Sequence, residues 1–316
     1  MRHGQFNPRR SLGRTGFIAT QLGIGDVADR SVPIEQCVQT LRRALDAGLN
    51  LIDTAPGYED GYSEQIVGQA LRSLGSAKRD SIFVIDKIDE LDAPVMPQVD
   101  ASLARLGLKH ADLFALHGLS TMAGWEKAAA PGGSLEQLAA AVVAGKARFR
   151  GISSHHPDVL AAAIPSGLVD VVMFAIGPFV DERYVSEILP LAKKHGVGSV
   201  CFKTFGAGKL LGDTEGYQKP LANRPRGKVS SGGLNGGDAT LPRMGVEECL
   251  HYTLTLDPDV ALLGMSFPNE QDAVAAAFEA FHGPLSAERM AEIHRRAAVA
   301  IQGKGTVWWN PESLTN

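Results

Sequence analysis

Short apolar runs alternate with helical stretches along most of the chain, and this alternation constrains the fold more than any other feature. The runs that predict strands cover residues 20–24, 50–53, 82–87, 113–117, 149–153, 169–175, 199–203 and 260–265. Each is followed by a stretch in which apolar residues recur at helical spacing. This pattern is typical of a buried parallel strand followed by its crossover helix. The sequence therefore predicts an α/β protein with a parallel sheet.

The number of repeats favours a closed (β/α)8 TIM barrel over an open sheet. The predicted helices cover residues 33–47, 63–74, 96–106, 134–144, 157–164, 182–194, 245–256 and 269–280. A doubly wound sheet that binds a dinucleotide would carry Gly-x-Gly-x-x-Gly after an early strand. Only the partial match Gly23-Ile-Gly25 occurs. Because such barrels commonly reach this length as one domain, we expect a single domain over residues 1–316.

Two segments outside the repeats are expected at opposite ends of the barrel. Residues 12–20 contain Gly13-Arg-Thr-Gly16, which indicates a β-hairpin that caps the barrel floor ahead of the first strand. Residues 206–245 are rich in glycine and show no apolar period. A loop this long inside a compact domain is usually functional or disordered. Because it follows the seventh strand, we expect long loops at the catalytic mouth.

The composition argues against nucleic-acid and membrane partners. With 31 basic and 35 acidic residues the net charge is −4, so the chain lacks the basic footprint that either partner requires. No run approaches the roughly 20 apolar residues of a membrane span, and no apolar segment of a signal peptide follows the N-terminal arginines. The three cysteines are far apart, which fits a reducing compartment. We therefore expect a cytoplasmic protein.

Four polar residues at or just beyond the ends of three successive predicted strands are the catalytic candidates. They are Asp53, Tyr58, Lys87 and His117. The C-terminal ends of barrel strands are where active sites form, and a cation beside a phenol lowers the phenol's pKa. Taken singly, Asp53 could cap a helix, Lys87 could be a surface lysine, and His117 could be a core histidine. Tyr62, four residues after Tyr58, is an alternative phenol.

The same residues carry a family resemblance. The segment Asp53-Thr-Ala-Pro-Gly-Tyr58, continuing through Ser63-Glu64 to Gly68, resembles the signature of the aldo-keto reductases, and the resemblance covers about residues 11–277. It implies reduction of an aldehyde or ketone to an alcohol, or the reverse, with NADP or NAD. It also implies that Tyr58 gives the proton, Lys87 stabilises the phenolate, Asp53 holds Lys87, and His117 binds the substrate oxygen. Metal ligands are not implied.

The resemblance also implies a cofactor site around the remaining strand ends. The implied cofactor-binding residues are Ser153, Ser154, Met173, Phe202, Lys203, Gly206, Gly208, Gly264 and Ser266. The two serines and Met173 map to contacts of the carboxamide, Phe202 maps to the platform for the nicotinamide ring, and the glycines with Ser266 map to phosphate contacts. No lysine or arginine occurs between Arg243 and Arg289. We therefore expect weak discrimination between NADP and NAD.

Departures from the family pattern leave alternatives open. Ser154 and Met173 stand where the family usually has asparagine and glutamine, which would suit a cofactor-binding regulatory protein with slow turnover. A Schiff-base lyase could use Lys87 or Lys203 at the barrel mouth. Lys203-Thr204 and Gly264-Met265 most resemble a branch that sometimes carries an iron–sulfur insertion, but the chain has no cysteine cluster. A metal site at His155 and His156 is disfavoured, because adjacent strand residues point in opposite directions.

Overall fold

Eight parallel strands close into a barrel in the computed structural model, which describes residues 1–72, 74, 76–212, 242–304 and 307–311. A hairpin of β1 (Arg10–Ser11) and β2 (Ile18–Ala19) precedes barrel strands β3 (Leu22–Ile24), β4 (Leu51–Asp53), β5 (Phe83–Ile88), β6 (Ala111–Leu116), β7 (Ala147–Ser153), β8 (Val171–Ala175), β9 (Gly198–Phe202) and β10 (Val260–Leu263). β10 pairs with β3 through Leu262 and Gly23, and with β9 through Ala261 and Cys201. The predicted (β/α)8 barrel is confirmed.

Helices surround this barrel, and three of them were not predicted. The helices are α1 (Ile34–Asp46), α2 (Tyr62–Arg72), α3 (Ser76–Asp80), α4 (Val95–Leu106), α5 (Met122–Ala129), α6 (Ser134–Val143), α7 (Pro157–Ala163), α8 (Leu189–His195), α9 (Val246–Leu256), α10 (Pro268–Glu279) and α11 (Ala287–Ala300). The sequence missed α3, α5 and α11. Both longer ones begin at a side-chain cap: Thr121 accepts the N–H of Gly124, and Ser286 accepts that of Arg289.

The predicted helix over residues 182–194 is divided into two parts. Residues Tyr184–Ile188 form a π-helical turn, and α8 begins directly after it. Pro190 lies in the first turn of α8. Because proline has no N–H to donate, the α-helical hydrogen-bond ladder cannot run through this position unchanged. The sequence pattern located the helix correctly but did not reveal the wider turn.

The barrel wall separates two layers of core. Inside the barrel lie Leu12, Leu51, Phe83, Ile85, Leu113, Val171, Met173, Val200 and Val260. Alternate strand residues point outward into a second core beneath the helices, which contains Ile52, Val84 and Phe114 together with Leu41 of α1. Because the interior is filled by side chains, a ligand site can form only at an end of the barrel.

The N-terminal hairpin covers the floor, as the sequence predicts. Leu12 is fully buried, and the ring of Phe17 packs against that of Phe83 with centroids 5.1 Å apart. Gly13 has a left-handed backbone (φ +49°), and a Cβ there would lie 2.2 Å from the backbone nitrogen of Gly198. The hairpin can therefore approach the start of β9 only with glycine at this position.

The described residues contain no helix long and apolar enough to cross a membrane. Most of the glycine-rich stretch predicted as a mouth loop, residues 213–241, lies outside the described residues. Its first part forms a 3-10 turn over Gly206–Leu211, which follows β9.

Candidate active site

The four catalytic candidates meet at the C-terminal ends of β4, β5 and β6. Asp53 is the last residue of β4, Lys87 is the last but one of β5, and His117 directly follows β6. The Lys87 ammonium lies 2.7 Å from Asp53 Oδ1 and 4.5 Å from the centroid of the Tyr58 ring. The His117 ring lies 5.7 Å from the same ring, edge to face. Strand order and barrel closure thus bring together residues that are up to 64 positions apart.

Asp53 and Lys87 form a buried ion pair. Their side chains are 4% and 2% exposed, and the ammonium also donates to the backbone oxygen of Thr54 at 2.7 Å. Burial raises the pKa of Asp53 above its ordinary value, and the opposite charge of Lys87 offsets part of this effect. A buried ion pair of this geometry keeps the ammonium in one position beside the phenol.

The surroundings of the two tyrosines favour Tyr58 over Tyr62 as the phenol of this group. Tyr58 is half-buried beside Lys87, whereas the Tyr62 ring stacks with the guanidinium of Arg30 at 4.7 Å. The backbone directly after Tyr58 is left-handed at Glu59 and Asp60, with φ of +50° and +54°. Such conformations cost free energy at non-glycine residues and often occur at functional sites.

His117 has a carboxylate partner that the sequence did not indicate. Its Nδ1 lies 2.5 Å from Oδ1 of Asp89, a residue just after β5. The other carboxylate oxygen, Oδ2, accepts the backbone N–H of Gly57 at 2.6 Å. Partial burial acts to raise the pKa of Asp89, but the hydrogen bond and charge of His117 outweigh it and hold that pKa below its ordinary value.

The implied cofactor residues lie on the other half of the mouth, at the ends of β7 to β10. Ser153 ends β7 and is paired with Met173 on β8, and both are buried. Phe202 ends β9 and is half-buried. The Ser154 hydroxyl is bonded to the backbone of His156 at 3.1 Å, at the start of α7. Ser153 is therefore better placed than Ser154 to contact a ligand.

The turn after β9 uses part of its own backbone for internal bonds. The N–H of Gly206 donates to Lys203 at 2.8 Å, and that of Gly208 donates to Phe205 at 2.9 Å. The Lys209 side chain is buried and donates to the backbone oxygen of Lys304. These amides and this ammonium are engaged within the protein, which weakens the prediction that the turn binds pyrophosphate.

In the segment after β10, Gly264 has free space beside its backbone, and the one cation described near it, Arg43, is paired with a carboxylate. Gly264 is exposed, with no atom within 4 Å of a Cβ built there, and the Ser266 hydroxyl donates to the backbone oxygen of Asp26 at 3.0 Å. Arg43 of α1 reaches the start of α10, where it donates to the Pro268 carbonyl at 2.7 Å and pairs with Asp272 at 2.5 Å. The sequence pattern did not reveal this arginine, because it comes from another helix.

Lys203 occupies an aromatic part of the mouth. Its backbone is left-handed (φ +77°), and its ammonium lies 5.1 Å from the Phe202 ring and 5.4 Å from the Trp308 ring. Burial lowers the pKa of Lys203 to about 8, against the raising effect of Asp53. Trp308 is partly exposed here, whereas Trp309 is fully buried and donates to the Phe179 carbonyl at 2.9 Å. Only Trp309 is thus purely a packing anchor.

Two further titratable groups at the mouth were missed or misread from the sequence. Asp26 follows β3 and accepts the N–H of Ala28 at 3.0 Å, and burial raises its pKa to about 6. Its position two residues after a strand was the available signal. His155, considered above as a metal ligand, lies edge-on to Phe202 at 5.4 Å, and burial lowers its pKa to about 4. No cluster of three metal-ligating side chains occurs within the described ranges.

The family model that matches this chain has the description "Aldo/keto reductase family" and covers residues 19–297. The matched region includes all four catalytic candidates and the whole barrel. It therefore covers most of the chain and the complete candidate site.

Individual relatives agree with this match. The aldo-keto reductase YhdN of Bacillus subtilis (strain 168) is 29% identical over 307 residues, covering 84% of this chain and 87% of that protein. The NADH-specific methylglyoxal reductase of Escherichia coli (strain K12) is 28% identical over 222 residues, which is 64% of this chain and 66%, just under two thirds, of that protein. The holo form of the aldo-keto reductase AKR11C1 from Bacillus halodurans superposes with a TM-score of 0.68 at 26% identity, covering 96% of this chain and 100% of that one. The chain therefore belongs to the aldo-keto reductase family, which is a family of NAD(P)-dependent oxidoreductases.

Proposed function

We propose that the protein reduces the carbonyl group of a small aldehyde or ketone to an alcohol, or catalyses the reverse reaction, with NADP or NAD. The observation that carries this proposal is the convergence of three groups on one phenol. The Lys87 ammonium is 4.5 Å from the Tyr58 ring centroid and 2.7 Å from Asp53, and the His117 ring is 5.7 Å from the same phenol ring. This arrangement supports delivery of a proton to an oxygen atom at the mouth.

The proposed roles follow from the chemistry of each group. Tyr58 donates its hydroxyl proton to the carbonyl oxygen, which becomes the alcohol oxygen. The adjacent Lys87 ammonium stabilises the phenolate that remains, and Asp53 orients this ammonium through a direct hydrogen bond. His117 forms a hydrogen bond with the substrate oxygen. A bound nicotinamide supplies the hydride to the carbonyl carbon, or accepts it in the reverse reaction.

The described residues of the second half of the mouth fit a nicotinamide cofactor. The Thr204 hydroxyl is buried and has no hydrogen-bond partner among the described residues, so a polar ligand group would satisfy it. Phe202 presents a half-buried ring at the end of β9, and Ser153 at the end of β7 would hold the carboxamide. Gly264 leaves open space beside the backbone after β10, which would suit a phosphate. The Lys203 ammonium lies 5.1 Å from the centroid of the Phe202 ring and would balance negative charge.

The decisive test compares Tyr58→Phe with Tyr62→Phe. Tyr58→Phe removes the proton donor and little else, so we expect carbonyl reduction to fall by about 10²–10⁴-fold. The Kd for NADPH, followed by protein fluorescence, should stay within about threefold of the parent value, since a lost weak contact costs well under 1 kcal/mol. Tyr62→Phe is the matched control and should keep the parent rate. If Tyr62→Phe were inactive and Tyr58→Phe active, the donor would be Tyr62.

One observation favours a second candidate function, a Schiff-base lyase that uses Lys203. An amine whose pKa burial lowers to about 8 is partly unprotonated at neutral pH and can attack a carbonyl carbon. Borohydride treatment with a panel of aldehydes would trap such an adduct on Lys203 and give a stable mass increase. If no mass increase appears while NADPH-dependent reduction is measured, the lyase is excluded. Trapping without any NADPH-dependent reduction would exclude the reductase.

A further inference from the structure

Asp86 is a fully buried carboxyl group on β5, directly before Lys87. Because Ile85 points into the barrel, Asp86 points outward, toward the helices. Its Oδ1 accepts the backbone N–H of Lys87 at 2.8 Å. Its Oδ2 is also buried, and no donor reaches it in the part of the chain that the structure describes. Since buried polar atoms are nearly always hydrogen-bonded, this oxygen is expected to carry or to meet a proton.

The partner that can meet this oxygen is Glu64, in the first turn of α2. Its side chain is 0% exposed and is in hydrogen-bonding contact with that of Asp86. Glu64 is also bonded twice to Arg105 of α4: Nη2 donates to Oε1 at 3.1 Å, and Nε donates to Oε2. Two carboxyl groups and one guanidinium therefore meet between β5, α2 and α4.

The contact between the two carboxyl groups requires a proton. Two carboxylates only accept hydrogen bonds, so neither could donate to the other. Burial and the charge of Glu64 raise the pKa of Asp86 well above its ordinary value. The other charged groups that face Asp86 are Lys87 on its own strand and Arg105 on α4, while its neighbour on β6 is the apolar Phe114. Since the guanidinium favours negative charge on its direct partner Glu64, the proton belongs on Oδ2 of Asp86.

The same cluster lies against the loop that carries the phenol. Gly61, three residues after Tyr58, has a left-handed backbone (φ +75°). A Cβ there would lie 2.8 Å from Cδ of Arg105 and 3.3 Å from Oε2 of Glu64. The cluster therefore connects the strand of Lys87 with the loop of Tyr58, and the Lys87 ammonium lies 4.5 Å from the centroid of the Tyr58 ring.

We propose that Asp86 and Glu64 share one proton, and that Asp86 thereby acts as a positioning residue that holds the Lys87 ammonium beside the Tyr58 phenol. The positioning role rests on the proposed function, whereas the shared proton does not. Asp86 accepts from the backbone of Lys87 through Oδ1 and donates to Glu64 through Oδ2, so one side chain joins β5 to α2. As a neutral acid it adds no negative charge that would compete with the phenolate for the ammonium. Loss of the proton would place two like charges in contact and break this connection.

The direct test observes the proton by infrared spectroscopy of protein that contains ¹³C-labelled aspartate, at neutral pH. A protonated carboxyl group absorbs at a higher frequency than a carboxylate, and the label shifts the bands of aspartate. We expect the parent to show a band of protonated aspartate that is absent from Asp86→Asn. The band should persist in Asp112→Asn, which changes a similarly buried aspartate whose side-chain partners are arginines. A parent without the band, or a band that survives in Asp86→Asn, would overturn the shared proton.

The second measurement compares two replacements of Asp86 in carbonyl reduction. Asparagine is neutral, has the same shape, and can both accept from Lys87 and donate to Glu64, whereas alanine can do neither. We expect kcat of Asp86→Asn to exceed that of Asp86→Ala by about tenfold, because a small displacement of a catalytic group is costly in rate. KM should differ between the two variants by less than about threefold, since the role concerns the reacting groups rather than substrate binding. Equal kcat values in the two variants would overturn the positioning role.

The outcomes separate this inference from the proposed function. A parent that reduces no carbonyl, but shows the aspartate band that Asp86→Asn loses, would exclude the proposed function and leave the shared proton in place. A parent that reduces carbonyls, but gives equal kcat in Asp86→Asn and Asp86→Ala, would exclude the positioning role alone. A parent that reduces carbonyls and lacks the band would exclude the shared proton and leave the proposed function in place.

Discussion

The floor and the mouth of the barrel both carry aspartates, but the two sets have different partners. At the floor, three aspartates accept backbone N–H groups of neighbouring elements: Asp112 from Val84 at 2.9 Å, Asp170 from Arg150 at 3.2 Å, and Asp259 from Ser199 at 3.0 Å. Arg79 and Arg148 also pair with Asp112 from outside. Since a backbone amide does not titrate, these bonds hold strand starts together and offer no group that can exchange a proton.

At the mouth, two aspartates are bonded to the lysine and the histidine among the catalytic candidates. Asp53 pairs with Lys87, and Asp89 pairs with His117. Burial shifts the pKa of Asp26 to about 6, and it lowers that of Lys203 to about 8. The floor aspartates thus have backbone amides and arginines as partners, whereas Asp53 and Asp89 have partners in the proposed catalytic group. The identity of the partner, rather than the burial of the aspartate, distinguishes these two mouth aspartates from those of the floor.

The largest expected effect tests the mouth through Lys87→Met. We expect kcat to fall by about 10²–10⁴-fold, because the phenolate loses its stabilising cation. The variant should also lose about 3 kcal/mol of stability near pH 7, since Asp53 stays buried without its partner. The double variant Lys87→Met/Asp53→Asn is the control, and it should regain stability in urea unfolding but no activity. Recovery of activity in the double variant would show that the ammonium has no catalytic role.

The next effect tests the floor through Asp112→Ala. Its side chain is 1% exposed, and its loss removes the acceptor of the buried Val84 N–H and the carboxylate that pairs with Arg79 and Arg148. We expect a loss of about 2–4 kcal/mol in the free energy of unfolding. Activity per folded molecule at 25 °C should stay within about twofold, because this aspartate does not contact the site. Asp92→Ala, at an exposed position, should cost less than about 0.5 kcal/mol. A large loss of kcat in folded Asp112→Ala would contradict the view that the floor aspartates serve structure alone.

A smaller effect of opposite sign is expected for Asp26→Asn. The pKa of Asp26 is raised in the folded protein to about 6, so ionisation destabilises the folded state as pH rises from about 4, and the full cost is present above about pH 6. The neutral asparagine avoids this cost. We expect unfolding at pH 7.5 to require about 1–3 kcal/mol more than in the parent, with no gain at pH 4. If the variant were stabilised equally at pH 7.5 and at pH 4, the ionisation of Asp26 would not be the cause of the stabilisation.

The smallest effect concerns cofactor choice. Glu270 and Asp272 lie in the first turns of α10, and Asp272 already pairs with Arg43. These charges oppose a 2′-phosphate, so we expect Kd values for NADPH and NADH within about tenfold, or 1.4 kcal/mol. Asp272→Asn should free Arg43 and shift the ratio toward NADPH by roughly 0.5 kcal/mol. A parent preference for NADPH above roughly a hundredfold would mean that another cation reaches the phosphate.

Much of the fold and part of the site follow from local patterns in the sequence. Strand and helix periods depend on neighbouring residues, so they predict the eight barrel strands and the end positions of Asp53, Lys87 and His117. The helix α11 was missed because it lies beyond the repeating pattern, although Ser286 provides a cap signal. The cofactor residues stay a prediction, since their roles depend on a ligand that the local pattern does not describe.

The sequence alone determined that the chain forms a parallel barrel with a phenol, an ammonium, a carboxylate and an imidazole near one end. Only the tertiary structure decided how these groups are paired. Asp89 and His117 are 28 positions apart and belong to different strand ends, and Arg43 reaches α10 across 225 positions. Such contacts depend on strand register, barrel closure and side-chain rotamers, which act together over the whole molecule. For that reason the kind of chemistry could be predicted from the residues, whereas the partner of each titratable group could not.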